Sequence, residues 1–223
     1  NFVPAPNVIQ MGFWSGGDRD GNPFVTAEIT QQVAQELHLS ILKSYYAHLK
    51  KIRRRLSFRG VSKVLDELSD DLYDAIFKEE KDISTEQILS KIKEADQILT
   101  EQHNGLFKNL LDDFNDRVKI FGTHFATLDI RQDSRVHQTI IDEIISKKSE
   151  LNIENSSDQE KLDWLLKTDV ILDPNDFDGI TKDTLQNIFN IKKIQQINGE
   201  RGLHRYIISN SESIKEVLNV FAL

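Results

Sequence analysis

The feature that most constrains this chain is the apolar spacing that follows its glycine-rich start. Ile29, Val33, Leu37, Ile41, Tyr45, Leu49, Ile52 and Leu56 recur every three or four residues, the period of one helical face. Thr26 stands at the N-cap position of that helix. A second helix follows Gly60, with Val61, Val64, Leu65, Leu68, Leu72 and Ile76 in register and an acidic far face. Ser84 with Gln87 forms a capping-box pattern ahead of Ile88, Ile92, Ala95 and Leu99, and His103-Asn104-Gly105 ends that third helix. Leu106, Leu110, Phe114 and Val118 carry a fourth pattern towards Gly122, so the stretch 26–121 reads as helical.

The period then changes. His124-Phe125-Ala126-Thr127-Leu128-Asp129-Ile130-Arg131 alternates strictly and predicts a strand near 124–131. Thr127, Asp129 and Arg131 share one face of it, and Ala126, Leu128 and Ile130 the other. Helical patterns resume at about 134–148, 157–168 and 181–197, Tyr206-Ile207-Ile208-Ser209 reads as a second short strand (206–209), and Ser211 to Leu223 reads as a helix through Ile214, Val217, Leu218 and Phe221. The stretch 149–160 is the expected surface excursion. Two short strands do not make a stable sheet alone and require partners or a cover of helices. The expected fold class is mainly α with a few short strands, with 1–223 forming a single partial domain.

Composition narrows the function. The net charge of -8 argues against nucleic-acid binding, which needs cationic surface to displace counterions. The absence of cysteine removes disulfides and thiolate metal sites and fits a reducing compartment, so a cytoplasmic location is expected. No run approaches the ~20 apolar residues that span a bilayer, so no membrane partner is expected. The start at Asn1 without methionine and the apolar end at Leu223 read as cuts inside a longer protein.

Three segments carry possible chemistry. Gly16-Gly17-Asp18-Arg19-Asp20-Gly21-Asn22-Pro23 lies just before a helix N-terminus, which favours anions; the plainer alternative is a tight turn in which Asp18 and Asp20 cap the backbone and pair with Arg19. Arg131 at the strand end offers a planar fork matched to phosphate or carboxylate, or else pairs with Asp129 or Asp133 at the surface. The basic run Lys50-Lys51-Ile52-Arg53-Arg54-Arg55 reads as a solvated face pairing with local acids, the alternative being a hold on a polyanion or an acidic neighbouring segment. Charge also clusters in Glu200-Arg201-Gly202-Leu203-His204-Arg205, read as a turn stabilised by Glu200, with a mobile basic loop near a substrate as the alternative. None of the six histidines has metal-ligand spacing, and Trp14 and Trp164 read as core or rim aromatics.

FWSGGDRDGNPFVT at 13–26, FGTHFATLDIRQDSRVH at 121–137 and YIISNSESIKEVL at 206–218 together resemble three ordered signatures of phosphoenolpyruvate carboxylase. The resemblance implies an internal fragment of a helix-rich (β/α)8 TIM-type barrel, with the two strands parallel and the active site at the strands' carboxyl ends. It implies an allosteric enzyme, a cytoplasmic homotetramer, that joins phosphoenolpyruvate and bicarbonate into oxaloacetate and phosphate with Mg2+ or Mn2+. By the same resemblance Arg131 lies at the phosphoenolpyruvate phosphate. Arg19, supported by Asp18 and Asp20, falls at a sugar-phosphate effector or interface site.

The chain departs from the family pattern in two places. Arg135-Val136-His137 replaces a basic residue directly before the histidine, and Asn210 replaces a common methionine, a change expected to alter local packing. There is no TAHPTE-like segment, no GRGG-type loop and no later carboxylate set for the metal. The chain is therefore expected to bind no metal itself and to be inactive alone. The alternative function is a helical module that binds a sugar phosphate or another anion without catalysis.

Overall fold

The computed structural model of the chain describes residues 10–78, 82–148, 156–167 and 172–223. The fold is mainly helical with three short parallel strands, and it separates into two compact units. Among the described residues the first comprises 10–13, Val33–Leu128 and Lys193–His204, and the second comprises Trp14–Gln32, Asp129–Lys192 and Arg205–Leu223.

Helix α1 (Ala27–Arg53) starts where the sequence places its cap, with Thr26 Oγ1 accepting the Ile29 N–H at 3.3 Å. Glu28 in its first turn and Lys50, Lys51 and Arg53 in its last complement the helix dipole. From Ile41 on, its apolar face enters the core of the first unit together with α2 (Val61–Phe77), α3 (Thr85–His103) and α4 (Lys108–Phe121). Leu42, Leu49, Leu65, Leu68, Leu72 and Leu99 are fully buried. Each such leucine stabilises by about 2 kcal/mol, which makes this core the main source of stability in the unit. The Ser84–Gln87 capping box forms as read, and Asn104 takes the left-handed conformation that closes α3.

Local geometry moves three of the expected features. Asn104, Gly105 and Phe107 all have positive φ, so the turn consumes 104–107, α4 begins at Lys108, and Leu106 is exposed. Ile29 is exposed while Thr30 is fully buried, because the Thr30 hydroxyl donates to Gly16 O at 2.7 Å. Strand β2 is Thr127–Asp133, not 124–131: Phe125 sits at φ 64, and the Ala126 N–H folds back on His124 O at 2.7 Å. The alternation at 124–126 thus belongs to a turn.

At its start β2 pairs in parallel with β1 (Gly12–Phe13), a strand too short to show any period in the sequence. The segment before His204 closes on the same region. Thr127 Oγ1 donates to Arg201 O at 2.9 Å, and Gly202 packs so close to Asn198 and His124 that a Cβ there would lie 2.6 and 3.0 Å from their Cβ atoms. Glu200 opens a short 3-10 turn, Glu200–Gly202.

In the second unit the rest of β2 pairs in parallel with β3 (Arg205–Ser209), from Asp129↔Arg205 to Asp133↔Ser209. This pairing explains why β2 continues to Asp133. Helix α5 (Ser134–Lys148) buries Ile140, Ile141, Ile144 and Ile145 against Phe177 and Leu185, with Trp164 of α6 (Asp158–Lys167) at the edge. Of the excursion expected at 149–160, residues 149–155 lie outside the described residues, as do the opening 1–9 and the expected helix end at 168.

Helix α7 (Gly179–Asn198) carries a buried polar strip in this unit, Thr181, Thr184, Asn187 and Asn190. Asn187 and Asn190 direct their amides to Thr30 Oγ1 and Ala27 O, each at 3.5 Å. Helix α8 (Ile214–Ala222) forms under a Ser213–Glu216 capping box, but its expected apolar face is turned out: Ile214, Val217 and Phe221 are exposed. Its buried residue is Asn219, which donates to Gln138 Oε1 at 3.1 Å. Among the described residues no helix is long and apolar enough to cross a membrane.

Candidate functional site

Three segments of the second unit assemble the site: the glycine-rich loop, the second half of β2, and β3. The loop turns on Trp14, whose carbonyl accepts the N–H groups of Gly17 and Asp18 at 2.9 Å each, with Gly16 at φ 82. A side chain would be strained at that φ. The loop then runs as a parallel bridge beside Arg131: Arg131 N–H donates to Gly17 O at 2.9 Å and Arg19 N–H donates to Arg131 O at 2.8 Å. Two of the three segments that the resemblance singled out are thus joined backbone to backbone.

Arg19 is buried. Its NH2 donates to Asp183 Oδ2 at 2.5 Å and Thr184 Oγ1 at 3.3 Å, while Nε and NH1 have no hydrogen-bond partner. The turn reading of the loop therefore holds only in part. Asp18 accepts the Asp20 N–H at 3.3 Å as a backbone cap, but the partner of Arg19 is Asp183 on α7, not Asp18 or Asp20. The other Asp183 oxygen accepts the Ala27 N–H at 2.9 Å, so one carboxylate neutralises the buried guanidinium and satisfies an orphan donor of α1. Arg19 lines a cavity of ≈ 580 Å³ with Asn22, Val25, Gln132, Asp133 and Ile180.

Arg131 lies on the polar face of β2 as read, with its side chain 38% exposed. The carboxylates of Asp18 and Asp129 stand 3.8 and 3.9 Å from it, its Nε is buried without a partner, and its guanidinium lies 5.9 Å from the ring of the exposed Trp14. These distances exceed hydrogen-bond length. The guanidinium thus keeps two long ion pairs and an unpartnered Nε, with no close hydrogen bond among the described residues.

Asp133 does not pair with Arg131. Arg135 grips both its oxygens, and Asn210 Nδ2 adds a bond at 3.0 Å. These bonds, that of Arg135 foremost, hold the Asp133 carboxyl well below the usual carboxylate range. One departure from the family pattern, Asn210, thus meets this carboxylate and acts by hydrogen bonding where a packing change was expected. Next to it, His137 is fully buried and shares a 2.8 Å hydrogen bond with Tyr206. Burial pushes His137 down to about 4 and Tyr206 up to about 12, so both are uncharged near neutrality.

The remaining candidates stay apart from this site in the sequence and in their roles. In the first unit Arg53 pairs with Asp66 and donates to Ser69 Oγ at 2.9 Å, and Lys50 sits 4.2 Å over the Tyr46 ring, which fits local pairing of the basic run. His124 is buried and pushed down to about 4 by that burial and by the charge of Arg201. Among the described residues no group of three His, Asp or Glu side chains is placed to hold a metal ion. The reading from sequence missed Asp183 and Thr184, and named Arg205 only within the charged cluster 200–205 and Trp14 only as a core or rim aromatic. Only the Thr181, Thr184, Asn187, Asn190 spacing, polar on one side of a helix, could have drawn attention to α7.

The sequence model of the family described as phosphoenolpyruvate carboxylase matches residues 1–84 and 74–223. The phosphoenolpyruvate carboxylase of Nitrosomonas eutropha is 26% identical over 97% of this chain and 28% of its own length. The corresponding proteins of Nitrosomonas europaea and Aliivibrio salmonicida are 27% and 28% identical, over 98% and 96% of this chain and 29% and 28% of their own lengths. The chain thus spans less than a third of the length of these curated relatives. With the loop and strand signatures joined in one site and the family match extending over all of its length, the chain belongs to the phosphoenolpyruvate carboxylase family.

Proposed function

We propose that the chain forms part of an enzyme that carboxylates phosphoenolpyruvate with bicarbonate, and that Arg131 binds the substrate phosphate. The observation that carries this reading is the partly exposed Arg131 guanidinium on the polar face of β2, held only by two long ion pairs. A guanidinium so placed suits a phosphoryl group, whose charge spreads over several oxygens as it transfers. In that reaction bicarbonate attacks phosphorus, giving carboxyphosphate and the enolate, and carboxylation of the enolate yields oxaloacetate and phosphate. Arg131 would hold the phosphoryl oxygens and offset their charge.

In this reading β2 and β3 are two strands of an eight-stranded barrel completed by the rest of a cytoplasmic, homotetrameric enzyme. In the same reading the Mg2+ or Mn2+ ligands belong to the remainder of the enzyme. The isolated chain is expected to make no oxaloacetate. In a full-length family enzyme carrying this chain, Arg131→Ala is expected to lower kcat/KM by at least about 100-fold, as loss of a charged contact to the reacting group commonly does. Full activity in that variant would sink the assignment.

A second reading concerns Arg19. Its two unpartnered donors and the ≈ 580 Å³ cavity it lines favour an anion such as a sugar phosphate as effector or ligand, with Asp18 and Asp20 shaping the loop. Titration calorimetry with a sugar phosphate tests it: heat that disappears in Arg19→Ala supports the reading, and no heat in the parent protein removes it.

A further inference from the structure

The polar face of β2 and β3 carries a second arginine. Parallel register sets Asp129 beside Arg205, and paired residues of adjacent strands point their side chains to the same side. Arg205 Nε lies 3.0 Å from Asp129 Oδ1, an ion pair too oblique for a hydrogen bond. The Asp129 side chain is only 13% exposed, so its charge is largely withdrawn from water and needs a cation nearby. Two are in reach, Arg205 at 3.0 Å and Arg131 at 3.9 Å.

We propose that Arg205 is a positioning residue: by occupying Asp129 it keeps the Arg131 guanidinium free for a phosphorylated acid. This rests on the reading of Arg131 given above. Without Arg205 the half-withdrawn Asp129 carboxylate has Arg131 as its nearest cation, and an unbalanced negative charge would face an incoming dianion. Asp18, 3.8 Å from Arg131 on the loop side, is 37% exposed, so water screens its competing claim. Arg205 itself is 42% exposed, so replacing it leaves no hole in a core.

The test uses a full-length family enzyme carrying this chain. Arg205→Met is expected to raise KM for phosphoenolpyruvate about fivefold, the upper end of what a partly exposed charge pair contributes, with kcat and KM for bicarbonate nearly unchanged. Arg205→Lys, which keeps the charge, should stay close to the parent. Arg205→Met combined with Asp129→Asn should recover most of the lost affinity, because the competing carboxylate is gone. An unchanged KM in Arg205→Met, beside a raised KM in Arg131→Ala, overturns the inference and leaves the reading of Arg131 standing. Failure of the double substitution to recover affinity also overturns it. An unchanged kcat/KM in Arg131→Ala removes the reading and the inference together.

Discussion

Asp183 Oδ2 holds Arg19 NH2 at 2.5 Å while Asp183 Oδ1 holds the Ala27 N–H at 2.9 Å. One carboxylate on α7 thereby secures both the glycine-rich loop and the first turn of α1. Removing it would leave a guanidinium in the interior with Nε and NH1 unpartnered, NH2 held by Thr184 alone, and no counter-charge. Asp183→Ala is expected to destabilise the chain by about 2–3 kcal/mol, and Arg19→Met, which leaves no buried charge, by less. Urea unfolding of both variants checks the order, and an Arg19→Met loss larger than that of Asp183→Ala would contradict it.

Arg131→Ala is expected to change stability by less than about 0.5 kcal/mol, since a partly exposed side chain without hydrogen bonds holds little of the fold together. A thermal or urea midpoint shared with the parent chain would show this. That result separates any loss of activity in the full-length enzyme from a loss of folding.

Two buried histidines set an acid limit. Burial lowers His124 and His137 from 6.5 to about 4 each, so the folded state resists protons that the unfolded chain accepts. Between about pH 6.5 and 4 the unfolded state binds more protons, and stability therefore falls as pH falls through that window and is unaffected by these groups above it. His137→Gln is expected to flatten the decline, with a difference of up to a few kcal/mol at its lower end. Unfolding free energies measured from pH 7 to 4 check it; parallel profiles for parent and variant would refute the assignment.

Gly202→Ala is expected to cost about 1–3 kcal/mol, because the added Cβ would meet Asn198 Cβ at 2.6 Å and His124 Cβ at 3.0 Å, both anchored on backbone. Gly21→Ala is the control. Nothing lies within 4 Å of a Cβ there, so only its φ of 68 resists the change, at about 1 kcal/mol. Denaturation midpoints rank the two.

Asn210→Met, which restores the residue common in the family, is expected to cost about 1 kcal/mol. It removes a 3.0 Å hydrogen bond to Asp133 and puts a longer side chain at a φ of 52. A gain in the urea midpoint would show that the hydrogen bond contributes nothing.

The sequence by itself determined the helices of 26–121, the caps at Thr26 and Ser84, the polar side of β2 on which Arg131 lies, and, through the loop and strand signatures, the family. These are local properties: a cap, a period of three or four, or an alternation is decided within a turn or a strand. Local rules also account for the errors. Alternation alone did not reveal the positive φ of Phe125, and apolar spacing alone did not reveal that Ile214, Val217 and Phe221 of α8 face outward.

Only the tertiary structure decided which charges meet. Arg19 has Asp18 and Asp20 on either side in sequence and takes Asp183 in space; Arg131 has Asp129 and Asp133 within two residues and hydrogen-bonds to neither, because Arg205 stands beside the first and Arg135 holds the second. Within the strand Asp129 and Arg131 stay 3.9 Å apart, whereas parallel register and helix docking bring the distant Arg205 and Asp183 to within about 3 Å of their partners. Partner choice for a charge follows that through-space distance, which sequence separation does not encode.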